Sequence, residues 1–262
     1  MRNHEPHAPL NDWPHRLPSG LSQDAVTFDL DGTLVDTAGE IAEAVNLTLA
    51  EFDIAPRSLA EVTGLIGNGL RELMIRQLAR IFMAQPQLAD RVRVDHVLAR
   101  VDAHYAAIVG RHAQAYPGAL QALAALREAG VRTACVTNKD GRYTHALLAA
   151  TGLQPLLDVV IAGDTLAHKK PHASVLQGAA AQLGVRTDRL AHVGDSRTDI
   201  EAARNAGVAA WAVPYGYNGG EPVQLARPDR LFEQLADVAS HVLRPSPVSL
   251  ESPESNRRPA WH

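Results

Sequence analysis

At 262 residues the chain is long enough to bury one large core or two modest ones. Its net charge of −4 excludes the concentrated basic face that a general nucleic-acid or anionic-membrane binder needs. A lone cysteine, Cys135, rules out an internal disulfide and fits a reducing compartment, and no apolar run approaches the roughly 20 residues that span a bilayer. The first residues put His, Pro and Asp where an export signal carries its apolar stretch, so the expectation is a soluble, cytoplasmic protein that binds neither nucleic acid nor membrane.

Residues 1–22 contain Pro6, Pro9, Pro14 and Pro18 without an apolar period and read as a flexible tail. Ala25 to Phe28 is a short β-rich run that stops at the polar turn Asp29 to Thr33. From 37 to 116 no strand signal occurs. Three helical patterns fill the stretch, near 39–52, 69–84 and 88–112. His96, His104 and His112 recur there, but an eight-residue step turns about 80° beyond whole helical turns and spreads them over a solvated surface. Ala119 to Ala129 repeats Leu at helical spacing between Pro117-Gly118 and Gly130. Apolar runs then recur at 131–136, 158–162, 190–193 and 209–213, and Cys135 reads as a buried strand thiol in the first of them. Thr198-x-x-Glu201 has the form of a capping box opening a helix that ends before Gly207. Residues 245–262, again rich in proline, read as a second flexible tail.

Alternating strands and helices indicate an α/β fold, a Rossmann-like parallel sheet core with an inserted helical cap domain. Its catalytic core comprises 23–36 and 117–244, and the cap comprises 37–116. The strands end in polar groups: Asp29 and Asp31, Thr137 and Asn138, Asp164, then Asp195 and Asp199, with Lys170 one loop beyond the third of these runs. Ligands of open α/β sheets bind at the carboxyl ends of the strands, so these groups converge under the cap. Clustered carboxylates repel one another, and a hard divalent cation such as Mg2+ relieves them. A metal, a lysine and a nucleophilic carboxylate together describe phosphoryl transfer through an aspartyl-phosphate. The bland readings are a turn at Asp31-Gly32, helix caps at Thr137-Asn138 and a solvated Lys170. Leu34 stands where an EF-hand loop requires glycine, which excludes that motif.

Four segments in order resemble the motifs of the haloacid-dehalogenase-like superfamily: Phe28-Asp29-Leu30-Asp31-Gly32-Thr33, Val136-Thr137-Asn138, Lys170-Pro171 and Gly194-Asp195-Ser196-Arg197-Thr198-Asp199. The resemblance implies Asp29 as nucleophile, Asp31 as acid/base, and Lys170 as the neutralising cation. It further implies Thr137 and Asn138 on the phosphoryl oxygens, and Asp29, Asp31, Asp195 and Asp199 around Mg2+. Ile66-Gly67-Asn68-Gly69-Leu70-Arg71, Val136-Thr137-Asn138-Lys139 and Tyr215-Gly216-Tyr217-Asn218-Gly219-Gly220 resemble the phosphoglycolate phosphatases of that superfamily in particular. They imply a small phosphate ester as substrate, with Gly67, Asn68 and Arg71 of the cap reading its carboxylate. Asp140 and Ala173 depart from the prolines common at those positions in such relatives. A phosphatase for another sugar phosphate, a phosphomutase, or a non-catalytic phosphate-binding module are the alternatives. Asp31 counts against a dehalogenase.

Overall fold

The computed structural model describes residues 21–244. The expected tail 245–262, and all but the last two residues of the tail 1–22, lie outside the described residues. Six parallel strands form the main sheet: β1 (Ala25–Phe28), β4 (Arg132–Val136), β5 (Val159–Ile161), β6 (Leu190–Gly194), β7 (Ala209–Ala212) and β8 (Arg230–Leu231), ordered β5-β4-β1-β6-β7-β8. In register, β1 pairs Ala25 with Arg132 on one side and with Leu190 on the other, so the strand that leads into Asp29 is interior. Every residue of β1 is buried, because helices cover both faces. Val26 and Phe28 pack with α5 (Ala119–Glu128), α6 (Gly141–Ala150) and α9 (Leu235–Leu243). Ala25 packs on the opposite face with α7 (Ala173–Leu183) and α8 (Arg197–Ala206).

The cap is made of α1 (Ala38–Glu51), α2 (Leu59–Thr63), α3 (Leu70–Ala84) and α4 (Val94–Ile108), which bury a hydrophobic cluster of their own around Leu49, Leu73, Met74, Leu78, Val101 and Tyr105. It leaves and rejoins the sheet through a two-stranded antiparallel ribbon, β2 (Val35–Asp36) with β3 (Gln114–Ala115). Glu40, buried in the first turn of α1, accepts the backbone N–H groups of Gly110, His112 and Ala113 at 3.1, 2.6 and 2.9 Å. That carboxylate fastens the return connection beside the outgoing one.

Sequence and structure differ in four places. The run expected at 209–213 is followed by the further strand β8, too short and too exposed to carry an apolar period. The ribbon strand β3 falls inside the stretch read as wholly helical. The third cap helix is shorter than 88–112, since a 3-10 turn at Pro86–Leu88 and residues up to Arg93 precede α4. The capping box of α8 is formed by Ser196 and Asp199, not by Thr198 and Glu201, because the helix starts at Arg197. Of the three spaced histidines, His104 reaches Glu51 at 2.8 Å on the cap surface, and none belongs to the carboxylate group described below.

Candidate active site

The carboxyl ends of β1, β4 and β6 meet beneath the cap. Asp29 follows β1 directly and its side chain lies 2.9 Å from Lys170 Nζ, close enough for an ion pair but not aligned as a hydrogen bond. Asp29 Oδ1 therefore lies buried with the Lys170 ammonium as its neighbour. Lys170 Nζ donates instead to Asp199 Oδ1 at 2.6 Å. Asp199 also accepts from the Ser196 backbone N–H at 3.1 Å and the Ser196 hydroxyl at 2.5 Å, and its Oδ1 lies 3.2 Å from His192 Nε2. Asp195 ends β6, with Oδ1 accepting from the Thr33 hydroxyl at 3.2 Å and Oδ2 from the Tyr217 N–H at 2.6 Å.

These environments split the carboxyls. Burial, only partly opposed by Lys170, raises Asp29 to about 6. Burial and the charges of Asp199 and Asp29 raise Asp195 to about 8. Burial works the same way on Asp199, yet Lys170 and His192 overcome it and hold its carboxyl below the usual range. Lys170 stays protonated above its ordinary value because Asp199 and Asp29 outweigh the cost of burying it. Buried carboxyls crowded in this way suit a divalent cation, whose charge would relieve their repulsion.

Carboxylate oxygens of Asp29, Asp195 and Asp199 lie within 4.8 Å of one another, a donor set of hard oxygens suited to a divalent metal. The backbone is shaped to admit them. A Cβ on Gly32, whose φ is 83°, would come within 2.5 Å of Asp195 Oδ2, and one on Gly216 would overlap the same carboxylate. Asp31, also expected around the metal, is held differently. Its carboxylate lies outside this trio, drawn toward the cap by Lys139 Nζ at 2.9 and 3.0 Å and by the Thr37 hydroxyl at 2.7 Å. Asp199 belongs to the trio but spends Oδ1 on the Lys170 ammonium, whereas the oxygens of Asp195 meet only neutral donors.

An enclosed space of about 20 Å3, roughly one water in size, lies between sheet and cap. Asp29, Asp31, Thr137, Asn138 and Lys139 line its core side, with Gly67 and Gly69 among the cap residues opposite. Thr137 Oγ1 accepts the Lys139 N–H at 3.3 Å, which leaves its own proton to donate. The Asn138 side chain joins two loops. Its amide donates to Gly67 O and Lys170 O, both at 3.0 Å, and accepts the Lys170 N–H at 2.9 Å, so it brackets the cap loop to the lysine loop. Asn68 and Arg71 are not in this space. They lie on an outer rim with Asp140 and Lys169, where half-exposed Arg71 pairs with Asp102 at 2.9 Å. Asp164 is also diverted, accepting the Gly141 N–H at the start of α6.

Sequence reasoning missed Lys139, Tyr105, Thr33, His192 and Tyr217. Lys139 and Tyr217 stood inside segments already singled out. The Tyr217 hydroxyl donates to Asp36 at 2.7 Å and accepts the Thr37 and Ala38 N–H groups, so one residue ties Asp195 to the cap hinge.

A parallel sheet carrying buried acids and a lysine at its carboxyl edge, roofed by a helical insertion, defines a class of hydrolases built around an aspartate. Residues 23–207 match the family model described as haloacid dehalogenase-like hydrolase, and the chain belongs to that family. It is 37% identical to a phosphoglycolate phosphatase of Thiobacillus denitrificans over 84% of this chain and 96% of that one. It is 42% identical to the plasmid phosphoglycolate phosphatase of Cupriavidus necator over 80% and 89% of the two chains. Among solved structures, a predicted phosphoglycolate phosphatase from Haemophilus somnus superposes with a TM-score of 0.75 at 27% identity, covering 84% of this chain and 97% of that one.

Proposed function

We propose that the protein is a cytoplasmic, Mg2+-dependent phosphatase that converts 2-phosphoglycolate to glycolate and phosphate through a phosphorylated Asp29. The observation that carries the reading is Asp29 itself: a buried carboxylate at the end of the central strand, 2.9 Å from Lys170 and lining the space beneath the cap. The relatives' activity supplies the substrate, and the absence among the described residues of a helix able to cross a membrane agrees with the compartment.

An Asp29 oxygen attacks phosphorus while the phosphorus–ester oxygen bond breaks, and Asp31 gives its proton to the departing glycolate oxygen. Water then attacks phosphorus, loses its proton to Asp31, and releases phosphate with Asp29 restored. Lys170, kept charged and oriented by Asp199, neutralises Asp29 and the incoming phosphoryl group. The Thr137 hydroxyl donates to a phosphoryl oxygen. Asp29 and Asp195 would hold Mg2+, which when bound neutralises the clustered carboxylates and the phosphoryl charge.

The test is turnover of a panel of phosphate esters with Mg2+, by wild type and Asp29→Asn. Wild type is expected to favour 2-phosphoglycolate, and the variant to fall below about a tenth of wild-type kcat, since a covalent nucleophile contributes several kcal/mol. A folded Asp29→Asn protein that still turns over would refute the nucleophile.

A further inference from the structure

The enclosed space contains a cation that phosphoryl transfer to Asp29 does not use. Lys139 is 6% exposed, and its Nζ lies 2.9 and 3.0 Å from the two oxygens of Asp31 and 4.8 Å from the centre of the Tyr105 ring. Burial opposes its charge, but Asp31 and Tyr105 hold it protonated above the ordinary lysine value. An ammonium has three N–H donors, and Asp31 takes two at most.

Across from it stands Tyr105 of α4, with no surface exposed, its hydroxyl turned toward Lys139 and without an acceptor for its own proton. A buried phenol ordinarily finds an acceptor for its proton, so a free O–H beside a ligand space marks a place a ligand acceptor fills. The cap contributes otherwise only the side chains of Ile41, Ile66, Leu70 and Leu73 and the backbone of Gly67 and Gly69. Two donors of complementary kind, a charged N–H and a phenolic O–H, thus border an apolar wall.

We propose that Lys139 and the Tyr105 hydroxyl form the subsite for the substrate's carboxylate, so that the enzyme selects short phosphomonoesters whose second anion lies two bonds from the ester oxygen. The proposal rests on the phosphatase reading above and names what confers its specificity. Geometry sets the length. The ester oxygen must reach Asp31 to take its proton, and Lys139 Nζ is a direct neighbour of the same carboxylate. A group two bonds beyond that oxygen comes within roughly hydrogen-bond distance of Nζ. A longer ester carries its carboxylate beyond the same N–H, and the cap side chains that line the space are apolar apart from Tyr105.

The experiment compares kcat/KM for 2-phosphoglycolate, ethyl phosphate and 3-phosphonooxypropionate in wild type, Lys139→Met, Tyr105→Phe and Arg71→Ala, all with Mg2+. Wild type prefers 2-phosphoglycolate to both other esters. Lys139→Met lowers the ratio of 2-phosphoglycolate to ethyl phosphate by about 10–100-fold, the range of a charge-assisted hydrogen bond, and Tyr105→Phe lowers it by about 3–10-fold. Arg71→Ala, altered only on the outer rim, keeps the ratio within about twofold. If Lys139→Met or Tyr105→Phe depresses both esters in parallel, the residue serves Asp31 or the fold and the subsite is refuted. Tyr105→Phe keeps the ring and decides the matter should Lys139→Met fail to fold. A wild type that hydrolyses both esters but does not discriminate them refutes the glycolate reading itself, a result distinct from discrimination that survives both variants.

Discussion

Replacing Glu40 tests how the cap is tied to the sheet. Its carboxylate accepts three backbone N–H groups, with His112 and Ala113 on Oε1 and Gly110 on Oε2. Hydrogen bonds to a charged group contribute about 1.5–3 kcal/mol each, which would sum to roughly 4.5–9 kcal/mol for Glu40→Ala if none were recovered. Recovery is built in, because His112 is exposed and Gly110 and Ala113 are half-buried, so water reaches the freed donors. The expected loss is therefore about 2–4 kcal/mol. Glu40→Gln should cost less, about 1–2 kcal/mol, because its oxygen can serve His112 and Ala113 while its NH2 faces the Gly110 donor. Urea unfolding followed by circular dichroism measures both. Activity should fall with them, since the same connection sets the cap over Asp29. A Glu40→Ala protein within about 0.5 kcal/mol of wild type would refute the clasp, and so would a Glu40→Gln protein less stable than Glu40→Ala.

Two further outcomes follow from the site. In metal-free protein Asp29 and Asp195 hold their protons up to about 6 and about 8, against an ordinary 3.8. The stability that this contributes is complete below about pH 4 and is lost as pH rises through those values, so thermal melts without metal should drop between about pH 4 and 8. Added Mg2+ should raise Tm more at pH 8 than at pH 5, and equal shifts at both would place the metal elsewhere. Asp31→Asn should slow breakdown of phosphorylated Asp29 more than its formation from an activated ester such as p-nitrophenyl phosphate. Rapid-quench trapping checks this, and a variant that dephosphorylates at the wild-type rate would remove Asp31 from the acid/base role.

Strand ends made the chemistry legible. A buried run such as Ala25 to Phe28 can stop in only one place, so Asp29 and Asp195 were fixed at the sheet edge by the runs that precede them. Side-chain direction was harder to read. Arg71 lies one residue into α3, and that helix buries Leu70, Leu73, Met74, Gln77, Leu78 and Ile81, a stripe that turns Arg71 outward. The stripe was visible in the sequence, and following its phase would have removed Arg71 from the site. Other features left no periodic trace. Glu40 occupies a first helical turn, where any acid is favoured by the helix dipole, so its three distant partners could not be inferred. The two-residue strands β3 and β8 are too short to show alternation.

Cap and chemistry share residues, which makes cap position a condition of catalysis. Asn138 holds the lysine loop through Lys170 N–H and O, and its remaining donor bond goes to Gly67 of the cap. Tyr217 holds Asp195 through its backbone and the hinge at Asp36 to Ala38 through its hydroxyl. The space beneath the cap is small, and separating the two layers would widen the way in for an ester. Parting them gives up the Asn138–Gly67 bond but spares the contacts of Lys170 with Asp29 and Asp199, which lie wholly within the core. The Asp29–Lys170–Asp199 cluster thus does not depend on the cap for its assembly. What closure restores is the face bearing Gly67 and Tyr105, the part that excludes water and meets the leaving group. The space above Asp29 is thus bounded jointly, by Lys139 from the core and by Tyr105 from the cap, so its shape depends on how the two layers meet.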